Sequence, residues 1–361
     1  MKDGRVSTAR STPRTITVGS RLIGDGQPCF IIAEAGVNHN GRLEMAYKLV
    51  DAAVRSGADA VKFQTFKAHK VISACAPKAL YQMQTTGEGE SQLEMAKRLE
   101  LPFEAFRQLD HYCRQQGILF MSTPFDDESA EFLAQLGVPV FKIPSGEITN
   151  LPFLARVARY GRPMIVSTGM STLQEVETAV RIIRDTGNRQ LVLLHCVSNY
   201  PADPAETNLL AMRTMVEAFE IPVGYSDHTP GIDVALAAVA VGACVIEKHF
   251  TLDRHLPGPD HRASLEPDEL TALVRGIRTV TVALGHGRKE PATSEASTAA
   301  VARKSVVAAR DIPGGTILTE ELLAIKRPGT GLSPAMRSQI VGRRARRDIP
   351  EDMLISEEML G

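Results

Sequence analysis

No excess of charge marks this chain. Its 41 basic and 42 acidic residues leave a net charge of −1, which argues against a protein built to hold nucleic acid or to lie on a membrane surface. Cysteine is sparse: Cys29, Cys75, Cys113, Cys196 and Cys244 are odd in number and widely spaced. That is the pattern of reduced thiols acting as small hydrophobes in the cytoplasm, not of a disulfide framework. No apolar stretch approaches the roughly 20 residues that span a bilayer. The first 18 residues are rich in Ser, Thr and Arg but lack an apolar run, so they do not read as a secretory signal. Residues 1–28 are expected to form a disordered arm, a mitochondrial transit peptide being the other reading.

What is present is a core-forming composition, 43% hydrophobic over 361 residues, enough for one large and one small domain. From Cys29 to Gly285 eight apolar runs alternate with amphipathic segments. The runs are Cys29–Glu34, Ala58–Gln64, Ile118–Ser122, Val138–Ile143, Pro163–Thr168, Leu191–Cys196, Pro222–Ser226 and Cys244–Phe250. Several, such as Phe-Ile-Ile-Ala and Leu-Val-Leu-Leu, are apolar on both faces, as buried parallel strands require. Helices are expected over about 42–56, 102–116, 234–241 and 267–283, and from Asp127, Leu151 and about Ala205. Thr172-Leu-Gln-Glu175 is a capping box opening another. Residues 67–100 read as a long polar insertion. Eight strand–helix units in roughly 250 residues predict an α/β fold, a (β/α)8 TIM barrel over 29–285. A doubly wound open sheet is the runner-up, but it would want a glycine-rich fingerprint that Gly36 and Gly41 do not supply. Residues 286–300 read as a linker and 301–361 as a small domain. That domain carries a pseudo-repeat, 309–322 against 346–359, each copy a turn, an apolar run and a one-turn helix capped by Thr or Ser.

In a barrel the residues just past each strand converge on one mouth. Here they are Glu34, Asn38 and His39; Lys62 and Gln64; Ser122 and Thr123; Lys142, Ser145 and Glu147; Ser167 and Thr168; Ser198, Asn199 and Tyr200; Ser226, Asp227 and His228; Glu247, Lys248 and His249; and Asp260 in the loop that follows. Two lysines among hydroxyls make a cradle for phosphate or carboxylate. His228 and His249, each closing a strand, are either two polar strand ends or a two-histidine site for a divalent metal with open positions. Glu34 closes an otherwise apolar strand and is a candidate for proton handling. The hydroxyls are candidates for helix caps as well, and Glu247 for a structural ion pair. Together the strand ends describe a small anionic substrate meeting a carbonyl compound.

The motifs Ile-Ala-Glu-Ala-Gly-Val-Asn-His-Asn-Gly (32–41), Val-Lys-Phe-Gln (61–64), Phe-Lys-Ile-Pro-Ser-Gly-Glu (141–147), Ser-Thr-Gly-Met (167–170), Gly-Tyr-Ser-Asp-His-Thr (224–229), Glu-Lys-His-Phe-Thr (247–251) and Gly-Pro-Asp-His (258–261) resemble the sialic acid synthase family. Lys-Arg-Pro-Gly (326–329) resembles the signature of that family's antifreeze-like (β-clip or SAF) module. The resemblance implies condensation of phosphoenolpyruvate with an N-acylated mannose-type sugar, aided by manganese or magnesium. It assigns the metal to His228 and His249, phosphoenolpyruvate to Lys62, Thr123, Lys142, Ser145, Ser167 and Ser226, and sugar or water to Glu34, Gln64, Tyr200 and Asp260. Arg327 would reach the sugar's N-acyl group from the partner subunit of a domain-swapped homodimer. Some members carry Asn two residues before the tyrosine, where this chain has Ser198 beside Asn199, a departure that bears on this loop's contact or on the sugar. Within the resemblance the first expectation is N-acetylneuraminate from N-acetylmannosamine, and the second is N,N'-diacetyllegionaminate from a diacetamido 6-deoxy mannose, with pseudaminate behind both. A non-catalytic carbohydrate-binding protein is the reading from another class.

Overall fold

The structure is a computed structural model that describes residues 14–87 and 89–361. The start of the expected arm, residues 1–13, lies outside them. The chain divides into two compact units at Gly285 and His286.

The first unit is built on eight parallel strands: β3 (Phe30–Gly36), β4 (Ala60–Thr65), β5 (Leu119–Pro124), β6 (Phe141–Ile143), β7 (Met164–Ser167), β8 (Leu191–Cys196), β9 (Val223–Asp227) and β10 (Val245–His249). They run β5-β4-β3-β10-β9-β8-β7-β6, and β5 and β6 lie side by side to close the ring. This is the TIM barrel that the alternation of apolar runs and helices predicts, and every strand overlaps its expected run. The helices shield the outside of the strands through one large core that includes Leu49, Phe106, Leu133, Ile183 and Ile277. A second core fills the barrel interior, where Phe30, Ile32, Met121, Ile165, Leu194 and Val245 meet.

The expected arm is structured in its second half. Strands β1 (Thr15–Val18) and β2 (Arg21–Gly24) form an antiparallel hairpin. Its Ile16, Val18 and Ile23 join the barrel's inner core among residues from the strand beginnings, so the hairpin plugs the N-terminal end. Strands of four residues with alternating exposure carry too little pattern to stand out in a sequence. Buried Asp59 latches this end. Its carboxylate accepts from the backbone N–H of Ile31 at 2.8 Å and pairs with Arg21 of the hairpin at 2.9 Å and with Arg278 of the last barrel helix at 2.7 Å.

Other departures are local. The insertion after β4 is helical: Ala68–Val71, Leu80–Thr86 and Gln92–Leu99. The last of these opens with a capping box, Ser91 Oγ accepting from the Glu94 N–H at 3.2 Å while the Ser91 N–H donates to Glu94 at 2.9 Å. The helix expected from Ala205 is a 3-10 turn, Pro204–Glu206, and the α-helix begins at Ala211 after Asn208 takes a left-handed backbone. The capping box at Thr172 and Glu175 is present as read.

In the second unit β11 (Ser305–Ala308) pairs antiparallel with β12 (Leu323–Lys326). The two halves of the pseudo-repeat meet at an Ile312–Ile349 bridge, and each ends in a 3-10 turn, Glu320–Leu322 and Glu357–Met359. Thr319 and Ser356 precede these turns, but neither side chain makes the expected cap hydrogen bond. The expected linker contains the 3-10 turn Thr293–Glu295 and the start of a helix, Ala296–Ala302. Among the described residues no helix is long and apolar enough to cross a membrane.

The latch makes Asp59→Ala a test of the plugged barrel. Removing a buried carboxylate strands two arginine partners, and because both are partly exposed the loss is expected near the low end for such pairs, about 3 kcal/mol in urea unfolding. A loss under about 1 kcal/mol would contradict the latch.

Candidate active site

The parallel register brings the inward-facing strand ends to one level. Glu34 of β3 pairs in register with Lys62 of β4 and with His249 of β10, Gln64 with Thr123 of β5, and Glu247 of β10 with Ser226 of β9. Because side chains alternate along a strand, Glu247 and His249 point into the barrel while Lys248 between them points out. Lys248 is buried there against Asp227 at 2.7 Å and also donates to the Thr229 carbonyl, and Asp227 accepts from the Thr229 N–H at 2.9 Å. This outward pair fastens β10 to the loop that carries His228.

Inside, Lys62 Nζ sits 2.8 Å from Glu34, donates to Thr123 Oγ1 at 2.9 Å and lies 3.7 Å from Glu247. Lys142 Nζ lies 3.2 Å from Glu247, which also accepts from Ser226 Oγ at 3.1 Å. All four charged groups are almost fully buried. Burial drives the Glu34 carboxyl up to about 7, partly opposed by Lys62 and reinforced by Glu247. Glu247 goes the other way, to about 2, because Lys142, Lys62 and His249 outweigh its desolvation. Desolvation lowers Lys142, whereas Lys62 is raised because its two glutamates outweigh the same penalty. The result is one carboxyl raised toward neutrality, one fixed anion, and two buried lysines that share these carboxylates.

These residues line one cavity of about 410 Å³, within the range of small-molecule sites. Of the candidates read from the sequence, Glu34, Lys62, Gln64, Thr123, Lys142, Ser145, Ser167, Ser198, Tyr200, Ser226, His228, His249 and Asp260 all line it. Asn199 does not; it is exposed beside the loop, and Ser198 alone of that pair faces the cavity. Arg327 belongs to the second unit, just past β12, and the cavity lining comes from the first. Glu147, left open by the sequence, accepts from Asn150 Nδ2 at 2.7 Å and does not line the cavity. Glu247 proves to be the hub of the ion cluster, a part that strand-end chemistry alone did not assign it.

Ser145 is placed by a close approach that only glycine permits. The Gly169 N–H donates to Ser145 Oγ at 3.0 Å, and a Cβ on Gly169 would collide with the side-chain atoms of Ser198, Cys196 and Ser145. Asn38 ties the loop after β3 to the loop after the neighbouring β10, donating to the Phe250 carbonyl at 2.8 Å and to Ser264 at 3.0 Å.

The two imidazoles fit a divalent metal. Their ring centroids are 5.5 Å apart. The His228 Nδ1–H donates to the Val197 carbonyl at 2.6 Å, which leaves Nε2 as the ligating atom. His249 is held neutral by burial, with His228 and Lys62 adding to the effect, and its Nδ1 is a buried atom without a partner. His228 sits above its ordinary value because contacts with Cys196, Val197 and Glu247 outweigh desolvation. Among the described residues no group of three or more His, Cys, Asp or Glu side chains is placed to hold a metal ion. Two protein ligands with open positions is the arrangement these side chains offer.

The insertion helices add a wall that the sequence reading did not resolve into residues. Tyr81, Gln82, Gln92, Met95 and Leu99 line the cavity. The ring of Tyr81 lies 5.1 Å from that of Tyr200, which in turn lies 4.1 Å from the His228 ring at a tilt of 33°. The capping box at Ser91 and the helical spacing of Met95 and Leu99 were the available signals.

A barrel mouth holding buried lysines, a carboxyl raised toward neutrality and two buried imidazoles is the arrangement of an enzyme's active site. Residues 49–289 match the NeuB family and residues 303–361 the SAF domain. The chain is 50% identical over 329 residues to N,N'-diacetyllegionaminic acid synthase of Campylobacter jejuni, covering 91% of this chain and 98% of that protein. It is 51% identical over 330 residues to the protein of the same name from Legionella pneumophila, covering 90% and 93%. The crystal structure of N-acetylneuraminic acid (sialic acid) synthetase from Leptospira borgpetersenii superposes with a TM-score of 0.71 at 38% identity, covering 80% of this chain and 96% of that one. The chain belongs to the NeuB family and is a synthase.

Gly169→Ala is expected to displace Ser145 and weaken binding of a small dianion such as inorganic phosphate about tenfold, the worth of one hydrogen bond of roughly 1.4 kcal/mol. Calorimetric titration measures it, and unchanged affinity would remove Ser145 from the anion cradle.

Proposed function

We propose that the enzyme condenses phosphoenolpyruvate with 2,4-diacetamido-2,4,6-trideoxymannose and water, giving N,N'-diacetyllegionaminate and phosphate. The observation that carries this reading is the identity of 50 and 51% to legionaminic acid synthases from two organisms over nearly their whole length. The motifs alone put N-acetylmannosamine first. The 38% identity to a solved sialic acid synthetase keeps that sugar as the second reading.

The site chemistry supports the shared reaction. Lys62 and Lys142, with Thr123, Ser145, Ser167 and Ser226, receive the phosphate and carboxylate of phosphoenolpyruvate, taking over the role of Glu34 and Glu247 as counter-charges. The enol carbon attacks the sugar aldehyde, forming the carbon–carbon bond while the aldehyde oxygen takes a proton. Water then adds to the carbon that bears the phosphate ester, and the tetrahedral adduct expels phosphate by carbon–oxygen cleavage to leave the 2-keto acid. Glu34, poised near neutrality, holds or moves the proton in these steps. Gln64 donates to Glu34 at 3.2 Å and orients it. Tyr200 and Asp260 face the sugar or the water. His228 and His249 would hold a divalent metal, manganese or magnesium, whose Lewis acidity polarises a carbonyl oxygen. Arg327, from the partner subunit of a domain-swapped homodimer, would meet the sugar's N-acyl group, and the reaction belongs to the cytoplasm, where phosphoenolpyruvate is made.

Phosphate release from phosphoenolpyruvate tests the reading, with manganese and either the diacetamido sugar or N-acetylmannosamine. Preference for the diacetamido sugar is expected. His228→Ala, His249→Ala and chelation are each expected to lower turnover by at least about 100-fold, the scale on which electrostatic stabilisation acts. Preference for N-acetylmannosamine would establish the second reading. Release that needs neither sugar nor metal would overturn both.

A further inference from the structure

The cavity is chemically divided. Its floor is ionic: Lys62, Lys142, Glu34 and Glu247 with the two histidines. Its wall on the insertion side has an apolar stretch, formed by Val71, Ile72, Met95 and Leu99 with Val37 and Phe66, beside the polar Tyr81, Gln82 and Gln92. Met95, Leu99 and Val37 form a small buried cluster of their own, against which Phe66 packs. Of the helices that carry this wall, Ala68–Val71 follows β4 directly and Gln92–Leu99 packs against it, so the wall stands at the C-terminal mouth above Lys62 and Gln64.

The polar groups near the wall are largely occupied. Gln82 Oε1 accepts from the Ala79 N–H at 3.0 Å and from Gln92 Nε2 at 3.3 Å, and Gln82 Nε2 donates to Tyr81 Oη at 3.4 Å. A hydroxyl placed against Val71, Met95 and Leu99 would meet methyl groups and a thioether, and would give up its water without a replacement.

The substrate's orientation follows from the floor. The reacting aldehyde must lie by the histidines and the enol beside the lysines, so the far end of an extended six-carbon sugar is directed to the mouth. The geometry points to the wall of Val71, Met95 and Leu99 as the receptor for a methyl group at carbon 6, selecting a 6-deoxy sugar over its 6-hydroxy counterpart. This inference rests on the proposed reaction and assigns its sugar selectivity to residues of the insertion.

The test uses two sugars that differ only at carbon 6: the diacetamido trideoxy mannose and its 6-hydroxy counterpart, with phosphoenolpyruvate and manganese. For the native enzyme kcat/KM is expected to favour the 6-deoxy sugar by about 10- to 100-fold, the range over which an apolar pocket rejects an added hydroxyl. Val71→Thr keeps the side-chain shape at a partly exposed position while adding an acceptor, and Met95→Gln does so in the buried cluster. Each is expected to narrow the ratio at least about fivefold, chiefly by improving the 6-hydroxy sugar. A native ratio near one, or a ratio unmoved in Val71→Thr, overturns the inference while turnover of the diacetamido sugar leaves the reaction standing. No turnover of the diacetamido sugar alongside consumption of N-acetylmannosamine overturns the substrate reading, and this inference with it.

Discussion

Two lysines buried beside two glutamates at the end of a parallel barrel set the terms for the rest of the structure. Taking four charged groups out of water is costly, and mutual pairing offsets that cost only when the geometry is held closely. Lys62 therefore has Glu34, Thr123 and Glu247 around it, and Lys142 shares Glu247 with Ser226. The barrel holds them because each residue sits on a different strand, so none can move without disturbing a ladder. The site is a set of paired charges, in which each lysine has a glutamate beside it.

The same alternation that aims these side chains inward aims their neighbours outward, and the outward ones are used as well. Asp227 and Lys248 form a second buried pair, outside the barrel, that joins the ends of β9 and β10. Each of these residues precedes a histidine in the chain. The backbone that presents His228 and His249 to the cavity is thus fixed from behind by a charge pair that takes no part in the cavity. At the opposite end, Asp59 and the hairpin β1–β2 seal the apolar interior. Polar chemistry is confined to the C-terminal mouth because the layers beneath it are filled with side chains such as Phe30, Met121 and Ile165.

The strands were legible because each is an apolar run ended by a polar residue, a pattern that survives without any three-dimensional information. Glu34, Lys62, Lys142, His228 and His249 were legible for the same reason, as polar residues that an apolar run does not need. Register was not legible, and so neither was the sharing of Glu247 by both lysines, nor the turning of Lys248 away from its neighbours. The insertion's helices were hidden by polar composition: Gln92–Leu99 keeps Met95, Ala96 and Leu99 buried on one face, too short a stripe to stand out from a polar stretch. Residues 198 and 199 could not be separated by sequence, since adjacent positions in a loop have no fixed alternation. The insertion's share of the cavity lining was the least legible part of the site, because Tyr81, Gln82, Gln92, Met95 and Leu99 lie outside the strand-end pattern.

A crystal structure of the protein soaked with phosphoenolpyruvate and manganese tests the ion-exchange account most directly. The account predicts Lys62 and Lys142 in contact with the phosphate or carboxylate oxygens, separated from at least one of their glutamate partners, with the metal on His228 and His249. Phosphoenolpyruvate bound elsewhere, or bound while both lysines keep the partners they have in the free protein, would contradict it.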